Sequence, residues 1–332
     1  MRTWRRELIR GGVLFGLVVG AGVAISRIRV DMPDALEMLS SFGEFDLGEF
    51  GHPGDLFGPG RETGDPWEFR SPVTPAQQVW IRNMNGPVEV THADGSTLEV
   101  LAEKSWRHTS PEAVEIVAVP TARGVTICAL WAARERRCED GGDYKVSGVS
   151  KTDVAVRFHV RLPRGVRLDA STINGDVAID SVSAPVEAAT INGDVDVRTA
   201  VGPVRATTKN GAVRAFMASW TEGDVELETV NGSVTVALPE QVTVRIDAST
   251  VNGRVRTDLP VQVSGKLSPR QLRGTIGPVD AATTDHELPL LEISTVNGSI
   301  TIAAAHAMAL PPRTPRAPRP PRPARPARVE QR

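Results

Sequence analysis

Residues 171–180 read STINGDVAID and residues 189–198 read ATINGDVDVR, so the chain repeats itself almost unchanged after 18 residues. The shared core is Thr-x-Asn-Gly, followed by a short run in which apolar and polar residues alternate. Alternation with a period of two is typical of a strand with one buried face. An Asn-Gly pair is typical of a turn. Each copy therefore predicts a turn followed by a strand, and the repetition predicts a stacked β-structure.

Six copies of this core occur, and a degenerate copy, Met84-Asn85-Gly86, precedes them. The asparagines of successive full copies lie 18, 18, 21, 21 and 45 residues apart. Secondary turns at Ala184-Pro185, Gly202-Pro203 and Glu222-Gly223 divide the repeats, so each repeat holds about two short strands. The 45-residue gap predicts an insertion or a coil without its Asn-Gly pair. The predicted structural turn residues are Asn174, Gly175, Asn192, Gly193, Asn210, Gly211, Asn231, Gly232, Asn252, Gly253, Asn297 and Gly298.

Two all-β architectures fit the repeats. Asn-Gly between alternating runs is a strong hairpin signal, which would give an antiparallel meander. A β-solenoid of the parallel β-helix kind would instead wind one repeat of about 18–21 residues per coil and stack equivalent residues. We favour the solenoid because the whole cassette recurs and not only its turn. Stacked Asn and Thr side chains can form hydrogen-bonded ladders, which explains why the same polar residue stands at the same position of each coil. In that arrangement we expect glycine to supply a positive φ at each corner.

These cassettes resemble the bacterial adhesin-like β-strand-repeat family of unknown function, whose relatives are auto-transporter adhesin domains. The resemblance rests on the repeated T-[IV]-N-G-x-[VI] pattern and covers roughly Gln78 to Ala304. It implies a repetitive β-fold and brings no established catalytic residue. A shared fold does not by itself establish a shared function.

The N-terminus predicts export. A basic segment, residues 1–10, precedes an apolar run, and residues 11–28 are read as a transmembrane anchor or a cleaved signal peptide. The four early arginines outnumber the two that follow, so the remainder is expected on the exported side. This predicts a single-pass protein of the cell membrane with a periplasmic or extracellular C-terminal domain.

Three further segments follow from composition. Residues 29–75 are acidic and rich in Gly and Pro, and are predicted to form a flexible linker. Residues 76–304 hold the β-repeat domain, and residues 305–332 form a disordered Pro/Arg-rich tail. Arginine recurs there at every third residue, which polyproline II geometry would place along one face, either for contact with an anionic polymer or as a solubilising tail. These arginines are Arg313, Arg316, Arg319, Arg322, Arg325 and Arg328.

Few residues suggest chemistry. Cys128 and Cys138 are the two cysteines, and in an exported protein they predict one disulfide, with free thiols as the alternative. Asp176, Asp194 and Asp224 each follow a turn glycine and would bind a cation if stacked, but other residues interrupt the column, so we read them as solvated. We predict no catalytic residue, no cofactor and no metal site.

The sequence therefore predicts a non-enzymatic, membrane-anchored envelope protein whose β-repeat domain is an adhesin-like binding or structural module. Its partners would be the membrane, through the N-terminal helix, and an anionic envelope polymer or a membrane protein. A net charge of −2 argues against a general nucleic-acid binder. The alternatives are an accessory of an envelope-stress sensing system that acts through a membrane protein partner, and an envelope polysaccharide enzyme.

Overall fold

The computed structural model describes residues 56–149, 151–220, 222–264, 268–278 and 288–305. Backbone contacts divide the chain into residues 1–32 and 33–332, and all described residues belong to the second unit. The first strands are β1 (Glu62–Thr63), β2 (Trp67–Pro72), β3 (Gln78–Arg82), β4 (Val88–Ala93), β5 (Thr97–Trp106), β6 (Val114–Thr121), β7 (Gly124–Trp131), β8 (Ala133–Cys138), β9 (Tyr144–Val149), β10 (Ala155–Pro163), β11 (Arg167–Ser171) and β12 (Val177–Asp180). The remaining strands are β13 (Val186–Asn192), β14 (Val195–Val201), β15 (Val204–Asn210), β16 (Val213–Ser219), β17 (Val225–Asn231), β18 (Val234–Leu238), β19 (Val244–Asn252), β20 (Val255–Thr257), β21 (Val261–Val263), β22 (Gln271–Ile276), β23 (Leu290–Asn297) and β24 (Ile300–Ala304). Short 3₁₀ helices lie at Pro111–Ala113 and Asp140–Gly142.

Two open sheets of 11 strands each form most of the described domain, and β8 and β9 form a separate antiparallel pair. Sheet I runs in the order β1-β5-β10-β4-β12-β14-β16-β18-β24-β20, with β2 also on β5, and sheet II runs β21-β22-β19-β23-β17-β15-β13-β11-β3-β7-β6. Each repeat gives one strand to sheet II and the next strand to sheet I. The chain passes from sheet II to sheet I at the Asn-Gly edge and returns at the opposite edge. We call this the proline edge because Pro185 and Pro203 end two of its turns, directly before β13 and β15.

Equivalent strands of neighbouring repeats pair in parallel and in register. Val186 pairs with Val204 and Val204 with Val225 in sheet II, while Val195 pairs with Val213 in sheet I. The all-β, solenoid-like architecture predicted from the repeats is therefore confirmed, and the antiparallel meander is excluded for these strands. The core is a narrow layer of aliphatic side chains between the sheets, because every second residue of each strand points inward.

The Asn-Gly edge is held by two side-chain ladders along the stack. Each cassette threonine donates from Oγ1 to the carbonyl oxygen of the neighbouring coil's glycine at 2.8–2.9 Å, six times in all. Five asparagine Nδ2 groups donate to the Oδ1 of the next asparagine at 2.8–2.9 Å. The asparagine ladder ends at Asn174, because among the described residues Asn174 Nδ2 and Asn85 Oδ1 have no hydrogen-bond partner. Asn85 Nδ2 instead donates to the Val154 carbonyl oxygen at 3.0 Å.

The glycines are required for a different reason from the one expected. A positive φ occurs at Gly86, Gly175 and Gly193 but not at the later corner glycines. Instead, a Cβ atom at any of these corners would lie within 1.8–2.3 Å of a carbonyl oxygen on the adjacent coil. Close stacking of backbone on backbone excludes a side chain, and this holds whether or not φ is positive.

The stacking order departs from the chain order at both ends. The last repeat, β23 and β24, inserts between β17/β18 and β19/β20, so Asn252 lies outside Asn297. The first coil, β3 and β4, likewise lies inside β7 and β10.

The 45-residue gap contains an insertion, the β21–β22 hairpin, whose β22 pairs antiparallel with β19. At the other end β5 and β6 pair antiparallel with β10 and β7. Antiparallel strands therefore flank the parallel stack.

The sheet extends into the end of the predicted linker. β1 and β2 both pair antiparallel with β5, so residues 62–72 belong to sheet I. In β2, half-buried Trp67 and Phe69 alternate with exposed Glu68 and Arg70. The alternation is too short and too interrupted by acids and prolines to stand out in the sequence, and pairing with β5 is what gives it a buried side.

We predict that Gly232→Ala will lower the free energy of unfolding by about 3 kcal/mol or more, because overpacking against backbone cannot relax. Its new Cβ would lie 1.8 Å from the Gly211 carbonyl oxygen. Gly64→Ala is the control, because its Cβ would meet only the movable Trp106 ring, at 3.2 Å. Urea denaturation of both variants checks this, and equal stability of the two would contradict the requirement for close stacking.

Candidate functional site

The corner aspartates act as backbone acceptors. Asp176 Oδ1 accepts from the Asp194 N–H at 2.9 Å, and Asp194 Oδ1 accepts from the Ala212 N–H at 2.8 Å. Asp194 Oδ2 also lies 2.9 Å from Arg214 Nη1. Asp224 lies at the opposite, proline edge, where it accepts from the Leu290 N–H at 2.9 Å. Each carboxylate therefore joins one coil to the next, and within the described ranges no three His, Cys, Asp or Glu residues are grouped to hold a metal ion.

An open groove of about 380 Å³ runs along the proline edge on the outside of sheet II. It crosses the starts of β3, β11, β13, β15 and β17, so it is parallel to the stacking direction. The turn prolines Pro185 and Pro203 form part of its wall. Its charged lining residues carry both signs: Arg167, Glu187, Arg205, Asp224 and Glu226.

Beside the groove lies a column of outward-facing residues that we call the acidic stripe. Strand register places them next to one another in the order Asp169, Glu187, Arg205, Glu226, Glu292 and Asp247. Three ion pairs involve stripe residues: Arg205–Glu226 at 3.0 Å and Arg273–Asp247 at 3.0 Å are partly exposed, whereas Arg82–Asp169 at 2.6 Å contains the buried Arg82. Five carboxylates against one arginine within the column leave it negative.

Glu228 is an unusual member of the next outward column. Equivalent positions carry the small residues Ser171, Ala189, Thr207, Ser294 and Ser249. Glu228 is only 5% exposed; its Oε1 accepts from Ser294 Oγ at 3.1 Å, and its Oε2 has no hydrogen-bond partner. Burial, and then the nearby Glu226 carboxylate, raise the pKa of Glu228 to about 7.

Sheet I carries a network of cross-strand ion pairs near its N-terminal end. Arg161 and Glu99 lie 2.9 Å apart, and His159 lies between two carboxylates, 3.3 Å from Glu89 and 3.7 Å from Glu103. The Glu103 and then the Glu89 carboxylate raise the pKa of His159 to about 9, against the opposing effect of partial burial. The sequence does not predict an unusual pKa for His159 or Glu228, because the groups around each side chain come from strands that are distant in the chain.

A disulfide fixes the segment from Ala133 to Gly142, which we call the loop, against the N-terminal part of sheet II. Cys128 and Cys138 form a disulfide with a Cα–Cα distance of 6.1 Å. The loop brings Gly142 against the Trp80 ring, and the Gly142 carbonyl oxygen accepts from Arg82 Nε at 3.1 Å. Arg82 also donates to both carboxylate oxygens of Asp169, at 2.6 and 2.7 Å. The loop thus covers one end of the acidic stripe.

The predicted anchor at residues 11–28 and the arginines of the tail lie outside the described residues. In the part of the chain that the structure describes, neither short helix has the length and apolar character to cross a bilayer.

We predict that Glu228→Gln will raise the free energy of unfolding at pH 8 by about 1–3 kcal/mol and change it little at pH 4. The folded pKa of about 7 exceeds the ordinary 4.5, so the folded state holds this proton more tightly. Wild-type stability should therefore fall as pH rises from 4.5 to 7, a slope that glutamine removes. Chemical denaturation across this range measures it, with exposed Glu68→Gln as the control. A wild-type pH profile in Glu228→Gln would contradict the prediction.

We predict that His159 titrates with a pKa near 9, well above the ordinary 6.5. Its stabilising contribution is complete below pH 6.5 and is lost as pH rises through 9, since the folded state holds the proton more tightly. Imidazole NMR signals followed against pH measure the pKa. In Glu103→Gln that pKa should fall toward 6.5, whereas an unchanged value would rule out Glu103 as its cause.

We predict that removing the disulfide with Cys128→Ala/Cys138→Ala lowers the free energy of unfolding by about 2–3 kcal/mol, from the entropy of the loop it closes. Tryptophan fluorescence should report the change, since Trp80 lies beneath the loop. Reduction of the wild-type protein should reproduce the loss, and a variant as stable as oxidised wild type would contradict the prediction.

Comparison with known proteins finds two similar solved structures and one matching family model. A solved structure of a "putative cell adhesion protein" from Clostridium sporogenes is similar, with a TM-score of 0.40 at 13% identity over 72% of this chain and 100% of that one. A "putative adhesin" from Bacteroides fragilis is similar with a TM-score of 0.27 at 10% identity, over 72% and 97% of the two chains. No curated protein matches. The Toastrack DUF4097 family model matches residues 138–303, which is half of the chain, and the protein therefore belongs to this family.

Proposed function

We propose that the protein is a non-enzymatic binding module of the cell envelope, tethered by its N-terminal helix on the exported side of the membrane. The groove at the proline edge holds an extended envelope polymer. This proposal is carried by one observation: the groove is open and runs along the stacking direction across five strands. A long chain laid in it would meet polar or charged groups on each successive coil.

The lining of the groove suits a hydroxyl-rich glycan. Sugar hydroxyls both donate and accept, so they can bond to the carboxylates of Glu187 and Glu226 and to the guanidinium groups of Arg167 and Arg205. Apolar edges of sugar rings can pack on the turn prolines. In this proposal the arginine-rich tail adds attraction to anionic polymers at the same surface.

A role without catalysis fits the groove carboxylates, because two of them already have hydrogen-bond or ion-pair partners within the protein. Asp224 is engaged by the Leu290 N–H, and Glu226 is paired with Arg205. A general acid and base would need two carboxyl groups that face a substrate and keep different protonation states. Cleavage of an envelope glycan by the protein, abolished by one Asp→Ala or Glu→Ala change in the groove, would overturn this part of the proposal.

The test is co-sedimentation of residues 33–332 with isolated cell envelopes at low and high salt. The groove variant is Glu187→Ala/Arg205→Ala. Its matched control is Glu99→Ala/Arg161→Ala, which removes one acid and one arginine from the surface of sheet I. We expect the groove variant to bind about tenfold more weakly, as for a loss of two hydrogen-bonded charged groups, and the control to bind as wild type.

Two outcomes would overturn the proposal. If only substitution of the six tail arginines by glutamine abolishes binding, and high salt releases the wild-type protein, the tail is the adhesive element and the groove is not. If the wild-type protein does not sediment with envelopes at all, an adhesion role is wrong.

A further inference from the structure

The acidic stripe carries a carboxylate on five of its six strands and Arg205 on the remaining one. Glu187, Glu226 and Asp247 lie on alternate strands, with Arg205 between the first two and Glu292 between the second two. Neighbouring strands are about 4.7–4.9 Å apart, so these three carboxylates are spaced by about 9.4–9.8 Å. Glu226 and Asp247 keep 26% and 37% of their side-chain surface exposed. The stripe is therefore an accessible row of negative charge with a defined spacing.

The tail of the same chain carries the complementary pattern. Arginine recurs every third residue from Arg313 to Arg328, among prolines. Polyproline II has three residues per turn and a rise of about 3.1 Å, so successive arginines would be about 9.3 Å apart on one face. The difference from two strand spacings is about 0.1–0.5 Å per step, which flexible arginine side chains absorb over three contacts.

We propose that the arginine-rich tail, residues 313–328, docks on the acidic stripe of its own chain, with three arginines at a time on Glu187, Glu226 and Asp247. Shifting the tail by one strand would bring an arginine onto Arg205, so repulsion fixes the alternate-strand register. Shifting it by three residues restores the same contacts, so the tail can occupy the stripe in several equivalent positions.

The end of the last strand permits this contact. β24 ends at Ala304, at the proline edge, where the strands of sheet II begin. The residues of the acidic stripe lie near the start of those strands. Residues 305–312 provide eight residues between the strand and Arg313, which can span at most about 28 Å. The tail therefore reaches the stripe without any change in the sheets.

The stripe carboxylates that already have a partner retain capacity for a further donor, because each carboxylate offers about four acceptor positions. Exposed ion pairs are individually weak and sensitive to salt, so this contact depends on the tail being attached to the same chain.

The test is photo-crosslinking in the full-length protein, with p-benzoyl-phenylalanine in place of Ala317 and mass spectrometry of the products. A mixture of isotopically light and heavy protein distinguishes contacts within one chain from contacts between chains. We expect crosslinks within one chain to peptides of sheet II between Glu187 and Glu292, reduced about fivefold by high salt, as for a screened surface contact. Crosslinks mainly to sheet I, or mainly between chains, would overturn the proposal.

Two sets of variants separate charge from spacing. Glu187→Gln/Glu226→Gln/Asp247→Asn should reduce the crosslink about fivefold, whereas the matched sheet I variant Glu68→Gln/Glu89→Gln/Glu99→Gln should keep it. The tail variant is Arg319→Pro/Pro320→Arg/Arg325→Pro/Pro326→Arg. It keeps the composition of the tail and leaves the folded domain unchanged, but it breaks the three-residue spacing of the arginines. We expect it to reduce the crosslink yield about threefold. An unchanged yield in the stripe variant or in the tail variant would overturn the alternate-strand contact.

The crosslinking and co-sedimentation experiments test tail docking and the adhesion role separately, so either proposal can be overturned without the other. Loss of envelope binding by the groove variant, without any crosslink to sheet II, would support the groove and overturn tail docking. A crosslink to sheet II in a protein that does not sediment with envelopes would support docking and overturn the adhesion role.

Discussion

The contact between glycine backbones on adjacent coils sets the geometry of the Asn-Gly edge. Each coil comes so close to its neighbour that a Cβ atom would lie within 1.8–2.3 Å of a carbonyl oxygen. The same carbonyl accepts the threonine hydroxyl of the next coil, and the adjacent asparagine continues the amide ladder. Because Thr, Asn and Gly recur at the same positions of each coil, the threonine hydroxyls and the asparagine amides from Asn174 onward find partners one coil away, and the strands that follow are brought into register.

This division of roles leaves the opposite side of each coil free to vary. The polar groups at the Asn-Gly edge are largely used to join coils, and the corner aspartates Asp176 and Asp194 serve the same purpose. Outward positions near the proline edge carry Arg167, Glu187 and Glu226, which differ from coil to coil. A repetitive edge that holds the fold together and a variable edge that presents charge are typical of solenoid scaffolds.

Both ends of the stack depart from the repeat. Open strand edges invite pairing with other chains, and three of the four outermost strands limit this risk because they are short: β1 has 2 residues, and β20 and β21 have 3 each. Inserting the first and last repeats inside the stack also buries their corners against coils on both sides. The disulfide loop adds a cover over Trp80 and Arg82 at the N-terminal end.

The amino-acid sequence determined the repeat, the strand alternation and the all-β solenoid class, because these depend on residues close together in the chain. The tandem Thr-x-Asn-Gly cassettes were sufficient to favour stacked ladders over a meander. Only the tertiary structure decided that Asn297 lies inside Asn252, that Asp224 lies on the edge opposite Asp176, and that Glu228 and His159 have displaced pKa values. It also showed that close stacking of backbone on backbone, rather than a positive φ, is the common requirement for glycine at the corners. Each of these depends on which strands become neighbours, and that follows from burial and edge closure over the whole domain rather than from local spacing.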